Sequence, residues 1–428
     1  MVVPFHRRIL PWIFAAVFIV VAPVVIFYTS GYRWNEKKGR VERNGTVILD
    51  SSPRDARILM DGIPVGKTPL TLQDVAPGFH RFTIASQNFF PWEKTFDVQP
   101  ERVTFAHRVR LWKKSAPFLI DESRAIVGLS SSDDERERIE FEDGTTTVAA
   151  ITDTFRDERT RISFARRLSP QIRSRWSSDH RHVLIESLGS PPAILDVRSD
   201  HSPMELPLAA YRWEDAVLVG VATSVRVSIE FPSRRIIKRT LPHHVVDLFD
   251  MTELRTATGS VERVYVPQAK GPRGYVLPHG SWVFWERTRT RLLFRDRERW
   301  LSFAASNGSA VVREARGDFL RPYRSRSGDR FLLLQGGELW LWNMIDDPEL
   351  LYRQSEPIVA AAWHHEGDDV FFATRTAVFA LNLDPRDGRR ITPLANFDRI
   401  LDMIVFKNDL FVAGAKDGKE GVWQLQVE

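Results

Sequence analysis

The sequence predicts an all-β protein apart from one N-terminal transmembrane helix: a small β-sandwich follows the helix, and a β-propeller of about seven blades completes the chain. Three observations lead to this prediction. An uncharged, largely apolar run opens the chain, short alternating strands separated by Gly and Pro follow it, and hairpins marked by tryptophan then recur about every 40 residues. The predicted parts are a tail (1–8), a membrane anchor (9–31), a linker (32–44), a β-domain (45–111) and a propeller-like domain (112–428).

The composition is that of a folded protein with more than one folding unit. The chain has 428 residues, of which 43% are hydrophobic and 11% aromatic, so it can bury a sizeable core and is too long for a typical single domain. It contains no cysteine, which excludes disulfides, thiolate metal ligands and cysteine nucleophiles. The net charge of +5 is small for this length and indicates no more than a mild preference for anionic surfaces.

The uncharged run over residues 9–31 predicts a helix that spans a membrane. Its apolar part would measure about 30 Å as a helix, which matches the hydrocarbon core of a bilayer. The run is longer than the apolar core of a cleaved signal peptide, and no small-residue cleavage site follows it. Although basic residues are more numerous after the run than before it, this bias weakens for long translocated domains. We therefore expect a single-pass protein of the cell membrane, with residues 9–31 in the lipid bilayer and the C-terminal domains on the extracytoplasmic side.

The stretch DGIPVGKTPL, residues 61–70, contains a GKT that also occurs in phosphate-binding loops. Such a loop has a glycine five positions before the second glycine, and it leads into a helix. Counting back from Gly66 gives Asp61, and Pro69 is followed by the strand pattern LTLQDV instead of a helix. We therefore predict no bound nucleotide and no cofactor.

Turn residues explain the same stretch better. Alternating apolar residues in DARILMD predict a half-buried strand, and the Asp-Gly pair at its end is typical of a tight hairpin turn. The Pro-Gly pair before FHRFTI predicts a second turn. The predicted structural turn residues are Gly62, Gly66, Pro77 and Gly78.

These elements resemble a PEGA domain. The segments GTVILDSSP, PRDA, ILMDGIPVGKTPLTL and APGFHRFTI occur in the order and spacing of that family. The motif that names the family is altered to Pro53-Arg54-Asp55-Ala56, and Phe89-Phe90 replaces the usual Gly-Tyr. The resemblance implies an envelope-facing β-module without a known catalytic residue.

The region after Trp112 repeats a tryptophan-marked hairpin. Trp176 stands seven positions before Val183, and Trp363 stands seven positions before Val370. A repeat of about 40 residues with four short strands is what a propeller blade requires. The repeats resemble the WxxDGxxhhF pattern of TolB-like and WD-repeat propellers, and a pair of β-sandwiches is the alternative.

Several polar segments contain residues that could bind a metal ion or act in catalysis. The segments His364–Asp369 and Asp384–Gly388 have neither the ligand spacing of a zinc site nor that of a calcium loop, so each is predicted to be a turn, the first a solvated one. The acidic run over residues 133–143 is too charged to be buried and is predicted to be an exposed hairpin. We predict no catalytic residue and no metal ligand.

An Arg-rich segment over residues 156–181 is the candidate anion-binding face. Its arginines alternate with aromatic residues, but charged residues of this kind also line solvated strand edges. The arginines assigned to this face are Arg166, Arg167, Arg173 and Arg175.

The predicted function is non-catalytic binding or scaffolding at the cell envelope, with a protein, glycan or cell-wall polymer as the partner. One alternative is a glycan-active enzyme, a hydrolase or lyase, whose acids or histidines would converge at the propeller channel. The other is binding of an anionic polymer or nucleic acid through the Arg-rich face, although nucleic acid is the less favoured ligand.

Overall fold

The computed structural model describes residues 5–428 except for short segments, and it divides into two compact units. Unit 1 comprises residues 1–114 with 384–389 and 428, and unit 2 comprises residues 115–383 and 390–427. The segments not described are 30–31, 36–39, 123–125, 133–135, 169–171, 188–189, 200, 208–209, 215, 223–224, 232, 234, 241–244, 250–251, 258–259, 267–272, 289–290, 307–308, 318 and 326–327.

Helix α1 spans Phe5–Thr29. Its described side chains are largely exposed, including Trp12, Phe14 and Phe18. Among the described residues, no helix combines the length and the apolar character needed to cross a membrane. The structure therefore does not support the transmembrane helix predicted over residues 9–31.

In its described residues, unit 1 continues with nine strands. The first two form a hairpin within the segment predicted to be a linker. The strands are β1 (Tyr32–Asn35), β2 (Arg40–Arg43), β3 (Gly45–Ser52), β4 (Arg57–Met60), β5 (Ile63–Lys67), β6 (Leu70–Val75), β7 (Gly78–Ala85), β8 (Trp92–Val98) and β9 (Val103–Arg110).

Strands β3 to β9 form a β-sandwich. One sheet has the order β6-β3-β9, in which β3 and β9 are parallel, and the other has the order β5-β4-β7-β8. Alternation along β3 and β8 directs every second side chain into the space between the sheets. The buried core there includes Val47, Ile58, Phe82 and Phe96.

Unit 2 consists of strands and turns in its described residues. The strands are β10 (Phe118–Glu122), β11 (Ile126–Ser131), β12 (Glu137–Glu142), β13 (Val148–Asp153), β14 (Glu158–Ser163), β15 (Ile172–Trp176), β16 (His182–Ser187), β17 (Ala193–Asp196), β18 (Met204–Glu205), β19 (Ala210–Glu214), β20 (Val217–Ala222), β21 (Val225–Glu230), β22 (Arg235–Thr240), β23 (Val245–Phe249), β24 (Thr252–Ala257), β25 (Ser260–Val266), β26 (Arg273–Val276), β27 (Val283–Arg287), β28 (Leu292–Asp296), β29 (Arg299–Ser306), β30 (Ser309–Arg316), β31 (Phe319–Ser325), β32 (Gly328–Gln335), β33 (Glu338–Trp342), β34 (Glu349–Arg353), β35 (Ala360–Trp363), β36 (Asp369–Ala373), β37 (Ala377–Asn382), β38 (Ile391–Asn396), β39 (Arg399–Phe406), β40 (Asp409–Lys416) and β41 (Lys419–Gln426).

These strands form four-stranded antiparallel sheets. The first to seventh sheets each use four consecutive strands, from β11–β14 to β35–β38. The eighth has the order β10-β41-β40-β39, so the first strand of the unit completes the last sheet. The described part of unit 2 thus contains eight such sheets, one more than the number of blades predicted.

Successive sheets pack against one another, and the last packs against the first. Shared buried clusters join the first sheet to the second, the second to the third, the fourth to the fifth, the fifth to the sixth and the sixth to the seventh. Strand contacts join the third sheet to the fourth and the seventh to the eighth. Ile126 and Leu129 of the first sheet share a core with Phe411 and Val422 of the eighth. This closed ring of small sheets is a β-propeller.

The predicted hairpin repeat has a simple structural basis. Trp176 is directly paired with Val183 across β15 and β16, and Trp363 is directly paired with Val370 across β35 and β36. The seven-residue spacing is therefore the register of the first hairpin in two different sheets.

Candidate binding groove and charged clusters

Of the predicted turn glycines in the β-sandwich, Gly62 lies between β4 and β5, Gly66 lies near the end of β5, and Gly78 begins β7. The φ angle is +85° at Gly62, +154° at Gly66 and +139° at Gly78, which directly follows Pro77. An added Cβ at Gly66 would lie 2.8 Å from Leu70 Cδ2. The backbone angle thus favours glycine at this position, and a larger residue would also displace the Leu70 side chain.

The threonine of the GKT stretch is part of the sandwich interior. Thr68 is 1% exposed. Its hydroxyl bonds to Ser51 Oγ at 2.7 Å and accepts a bond from the Ala56 amide at 3.2 Å. Strand β6 begins two residues later. The Thr68 hydroxyl is already hydrogen-bonded inside the sandwich, and no helix follows it. The stretch therefore lacks the parts of a loop that hold a phosphate.

A groove of about 510 Å³ lies beside the edge strands β8 and β9 of the sandwich. Phe79, Phe96, Val103 and Phe105 supply its apolar surface. Phe79 is 77% exposed and Phe105 is 50% exposed. We call the groove formed by these residues, together with Arg102 and Arg386, the sandwich groove.

Arg386 forms one wall of the sandwich groove. Its guanidinium makes a bidentate pair with Asp384, with Nε to Oδ1 at 2.9 Å and Nη2 to Oδ2 at 2.8 Å. It also lies 4.8 Å from the ring centroid of Phe96 and donates to the Phe105 carbonyl at 2.8 Å. Burial raises the pKa of Asp384, but the hydrogen bonds from Arg386 outweigh it and hold the pKa below its usual value. This wall is therefore fixed within unit 1.

Lys94 supports the same segment from the sandwich core. It is 2% exposed, and its Nζ donates to the Asp384 carbonyl at 2.7 Å and lies 3.3 Å from a carboxylate oxygen of that residue. Burial lowers the pKa of Lys94, and the Asp384 carboxylate opposes this effect. Arg102, by contrast, is exposed and forms no ion pair among the residues described.

Three arginines of the predicted anion-binding face have described side chains, and each is held by its own internal partners. Arg166 donates to the Pro191 carbonyl, and Arg167 pairs with Asp143. Arg175 donates to Glu186 Oε1 at 2.9 Å and to the Tyr211 carbonyl. The side chain of Arg173 lies outside the described residues. The binding role assigned to these arginines stays a prediction.

The acidic run predicted to be an exposed hairpin is buried where the structure describes it. All six residues of β12 are buried, and Glu137 and Glu140 are 1% and 0% exposed. The prediction of an exposed hairpin was therefore wrong for this strand. It failed because the arginines that compensate the acids come from β12 itself and from β14.

The charges on β12 form a paired network. Glu140 Oε1 accepts from Arg138 Nε at 3.1 Å and Nη2 at 3.0 Å, and its Oε2 accepts from Arg159 at 3.0 Å. Arg159 also bonds to Asp121 on β10. Burial raises the pKa of Glu140, opposed by Arg138 and Arg159, whereas the bond from Arg159 lowers the pKa of Asp121.

This network has the carboxylates of a metal site but the charge balance of an ion-pair cluster. Oxygens of Asp121, Glu140 and Glu142 lie within 4.8 Å of one another. Arg138, Arg159 and Arg161 bond to the same three carboxylates. Three guanidiniums balance three carboxylates, so no cation is required.

A serine, an aspartate and a histidine meet at the turn after Trp176, but not as a catalytic triad. Asp179 accepts bonds from Ser177 Oγ, from the amides of Arg181 and His182, and from His182 Nδ1. A nucleophilic serine would instead bond to the histidine. Burial raises the pKa of Asp179, but these bonds outweigh burial and lower the pKa to about 2.

The two polar segments predicted to be turns both lie between strands. His364 and Asp369 flank the turn between β35 and β36, where they are 1% and 3% exposed. Asp369 accepts a bond from Asn382 Nδ2 at 2.8 Å. Between these two residues His365, Glu366 and Asp368 are exposed, so the first turn is solvated apart from its ends.

Comparisons with known proteins agree with the N-terminal assignment. Residues 44–111 match the PEGA domain family, which confirms the resemblance. The C-terminal WD40 domain of Sif2 is 14% identical over 73% of this chain and 98% of that chain, with a TM-score of 0.46. The β-propeller domain of Cps50 (Swd1) from Myceliophteria thermophila is 11% identical over 72% of this chain and 99% of that chain, with a TM-score of 0.44. No curated protein sequence matches the chain. Residues 44–111 of the chain therefore form a PEGA domain, and the closed ring of sheets described above is the β-propeller that follows it.

Proposed function

We propose that this protein is a non-catalytic binding or scaffolding protein at the cell envelope, and that the sandwich groove docks a protein partner. The observation that carries this proposal is the exposed aromatic surface beside two edge strands. A volume of about 510 Å³ is within the range of sites that hold a ligand or an anchoring side chain. Exposed Phe79 and Phe105 offer the apolar contact that anchors protein interfaces.

The described side chains support binding rather than catalysis. The buried carboxylates of β12 are paired with arginines, and the Asp179 carboxylate is saturated by four donors. A general acid or base needs a side chain that reaches substrate. These groups are instead occupied by internal bonds, which favours a structural role for them.

The proposal includes attachment to the cell membrane through α1, with the PEGA domain and the propeller on the extracytoplasmic side. It is supported by the uncharged sequence of residues 9–31 and by the exposed apolar side chains Trp12, Phe14 and Phe18. Protease treatment of intact cells tests it. We expect the C-terminal domains to be digested before lysis and the chain to resist alkaline extraction from membranes. Digestion only after lysis, or release by alkali, would contradict this placement.

Site-specific crosslinking tests the groove. A photoreactive amino acid at Val103 in the full chain is expected to give a discrete adduct with one protein, and Phe79→Ser with Phe105→Ser is expected to remove it. Phe155→Ser is the matched control, because Phe155 is 76% exposed on a turn of unit 2. An adduct that survives the double substitution, or binding only to purified wall glycan, would overturn the proposed protein-docking role.

A further inference from the structure

The fifth and sixth sheets of the propeller enclose an arginine whose charge has no carboxylate partner among the described residues. Arg291, which directly precedes β28, is 9% exposed. Its Nη1 donates to Ser302 Oγ at 3.0 Å, and that hydroxyl donates to the Met344 carbonyl at 3.1 Å. Burying a guanidinium against neutral partners is costly unless an anion completes the site.

A second arginine lies on the same face of the fifth sheet. Ser302 is directly paired with Leu293 on one side and with Arg313 on the other, so these three side chains share a face. Arg291 precedes Leu293 by two residues and therefore lies on that face as well. The face is the one that packs against the sixth sheet, because Leu293, Trp300 and Ala315 share a buried cluster with Phe331.

Arg313 also lacks a carboxylate partner within the described residues. Its Nε donates to the Ile345 carbonyl at 3.0 Å, and its Nη1 donates to the Val312 carbonyl at 3.2 Å. Burial lowers the pKa of Arg291, the like charge of Arg313 adds to this effect, and Asp346 opposes it. The two guanidiniums thus repel each other, and together with the Asp346 carboxylate the three groups carry a net charge of +1.

The surroundings of the pair indicate which anion would balance that charge. Ile345 is 57% exposed and Val311 is 40% exposed, so apolar surface borders the two arginines. A free phosphate would contact only the arginines and leave the apolar side chains exposed. A Glu or Asp side chain next to an apolar residue would contact both the arginines and the apolar surface. We infer that the seam formed by Arg291, Ser302, Arg313 and Ile345 is a docking site for an acidic segment of a partner protein, in which one carboxylate completes the arginine pair.

This site is separate from the sandwich groove, and its test is independent of the proposed function. The purified full chain is titrated into a fluorescein-labelled peptide of alternating Glu and Leu, and into a matched peptide of Gln and Leu. We expect fluorescence anisotropy to show at least about tenfold weaker binding of the Gln peptide, since charge-assisted bonds are lost. Phe79→Ser with Phe105→Ser should leave this binding unchanged, so failure at the groove does not decide the result here.

Variants of the two arginines identify the site. Arg313→Gln and Arg291→Met are each expected to weaken binding of the Glu peptide about tenfold. Arg235→Gln is the matched control, because Arg235 is an exposed arginine on the fourth strand of the third sheet. Thermal unfolding checks that each variant is folded, and Arg313, being exposed, gives a folded variant even if Arg291→Met does not.

Three results would overturn the inference. Binding of the Glu peptide that is unchanged in both arginine variants would place the contact elsewhere. Equal binding of the Glu and Gln peptides would remove the role of the carboxylate. Complete displacement of the peptide from the wild-type chain by inorganic phosphate would identify a small-anion site instead of a protein-docking site.

Discussion

Two regions of the propeller bury charged side chains, and they differ in how that charge is compensated. On β12, the carboxylates of Glu140 and Glu142 meet the guanidiniums of Arg138 and Arg159. In the seam between the fifth and sixth sheets, Arg291 meets a serine hydroxyl. The first region is balanced by residues of the same chain, whereas in the second two guanidiniums, those of Arg291 and Arg313, face the single nearby carboxylate of Asp346.

The difference separates a structural role from a binding role. Where a buried charge is paired within the chain, removing its partner strongly destabilises the fold, because it leaves an uncompensated ion. A buried charge with no carboxylate hydrogen-bonded to it is already in the costly state, so its removal costs little or is favourable. Measurements of stability therefore distinguish the two regions by the sign of the change.

The largest effect is expected at Arg159. This residue contacts Asp121, Glu140 and Glu142 at once. Arg159→Met should lower the free energy of unfolding at neutral pH by about 3 kcal/mol, the low end for a broken buried pair because Arg159 itself is partly exposed. Urea unfolding of the full chain measures this change.

The same variant should recover stability in mild acid. Without Arg159 the clustered carboxylates repel one another, so their pKa values in the folded state rise above the unfolded values. The folded state then binds more protons than the unfolded state, and stability increases as the pH falls. Arg156→Met is the control, since Arg156 forms only an exposed pair with Glu158 at 3.9 Å and should change stability by less than about 1 kcal/mol. Equal losses in the two variants, independent of pH, would contradict the network.

A smaller effect of opposite sign is expected at Arg291. Arg291→Met removes a buried charge and keeps much of the apolar volume, so the free energy of unfolding should stay unchanged or rise by about 1 kcal/mol. Calorimetry or urea unfolding measures it. A loss as large as that of Arg159→Met would show that Arg291 is compensated within the chain, and the comparison between the two regions would fail.

The turns and hairpins were predictable because their signals are local. The Asp-Gly and Pro-Gly pairs fix backbone angles within a few residues, and Trp176 and Val183 pair within one hairpin. The closing of the ring by β10 was not predictable, because β10 pairs with β41 from the other end of the unit. The eighth sheet depends on that pairing, whereas the sequence predicted the number of blades from length and repeat spacing alone.

The burial of β12 and the charge deficit at Arg291 were also hidden from the sequence. In β12 the charged residues occupy both faces, and compensation comes partly from Asp121 on β10 and Arg159 on β14. Around Arg291 the run Leu292–Phe294 is buried on both faces, so alternation does not reveal which side chains face the next sheet. In both cases burial depends on partners distant in sequence.

Asp179 is an intermediate case, and the smallest effect is expected there. Its side chain is 30% exposed, and its carboxylate is held by hydrogen bonds that lower its pKa to about 2. A carboxylate with a lowered pKa stabilises the fold above the unfolded pKa of about 4, and this contribution is lost as the pH falls toward 2.

Asp179→Asn should therefore flatten the decline in stability between about pH 4 and pH 2 by about 1 kcal/mol, a value reduced for solvent screening. Urea unfolding across this range measures the slope, with Asp157→Asn on an exposed turn as the control. If both variants follow the wild-type slope, the turn network is no more stabilising than an exposed aspartate, and compensation by hydrogen bonds would matter only where charge is fully buried.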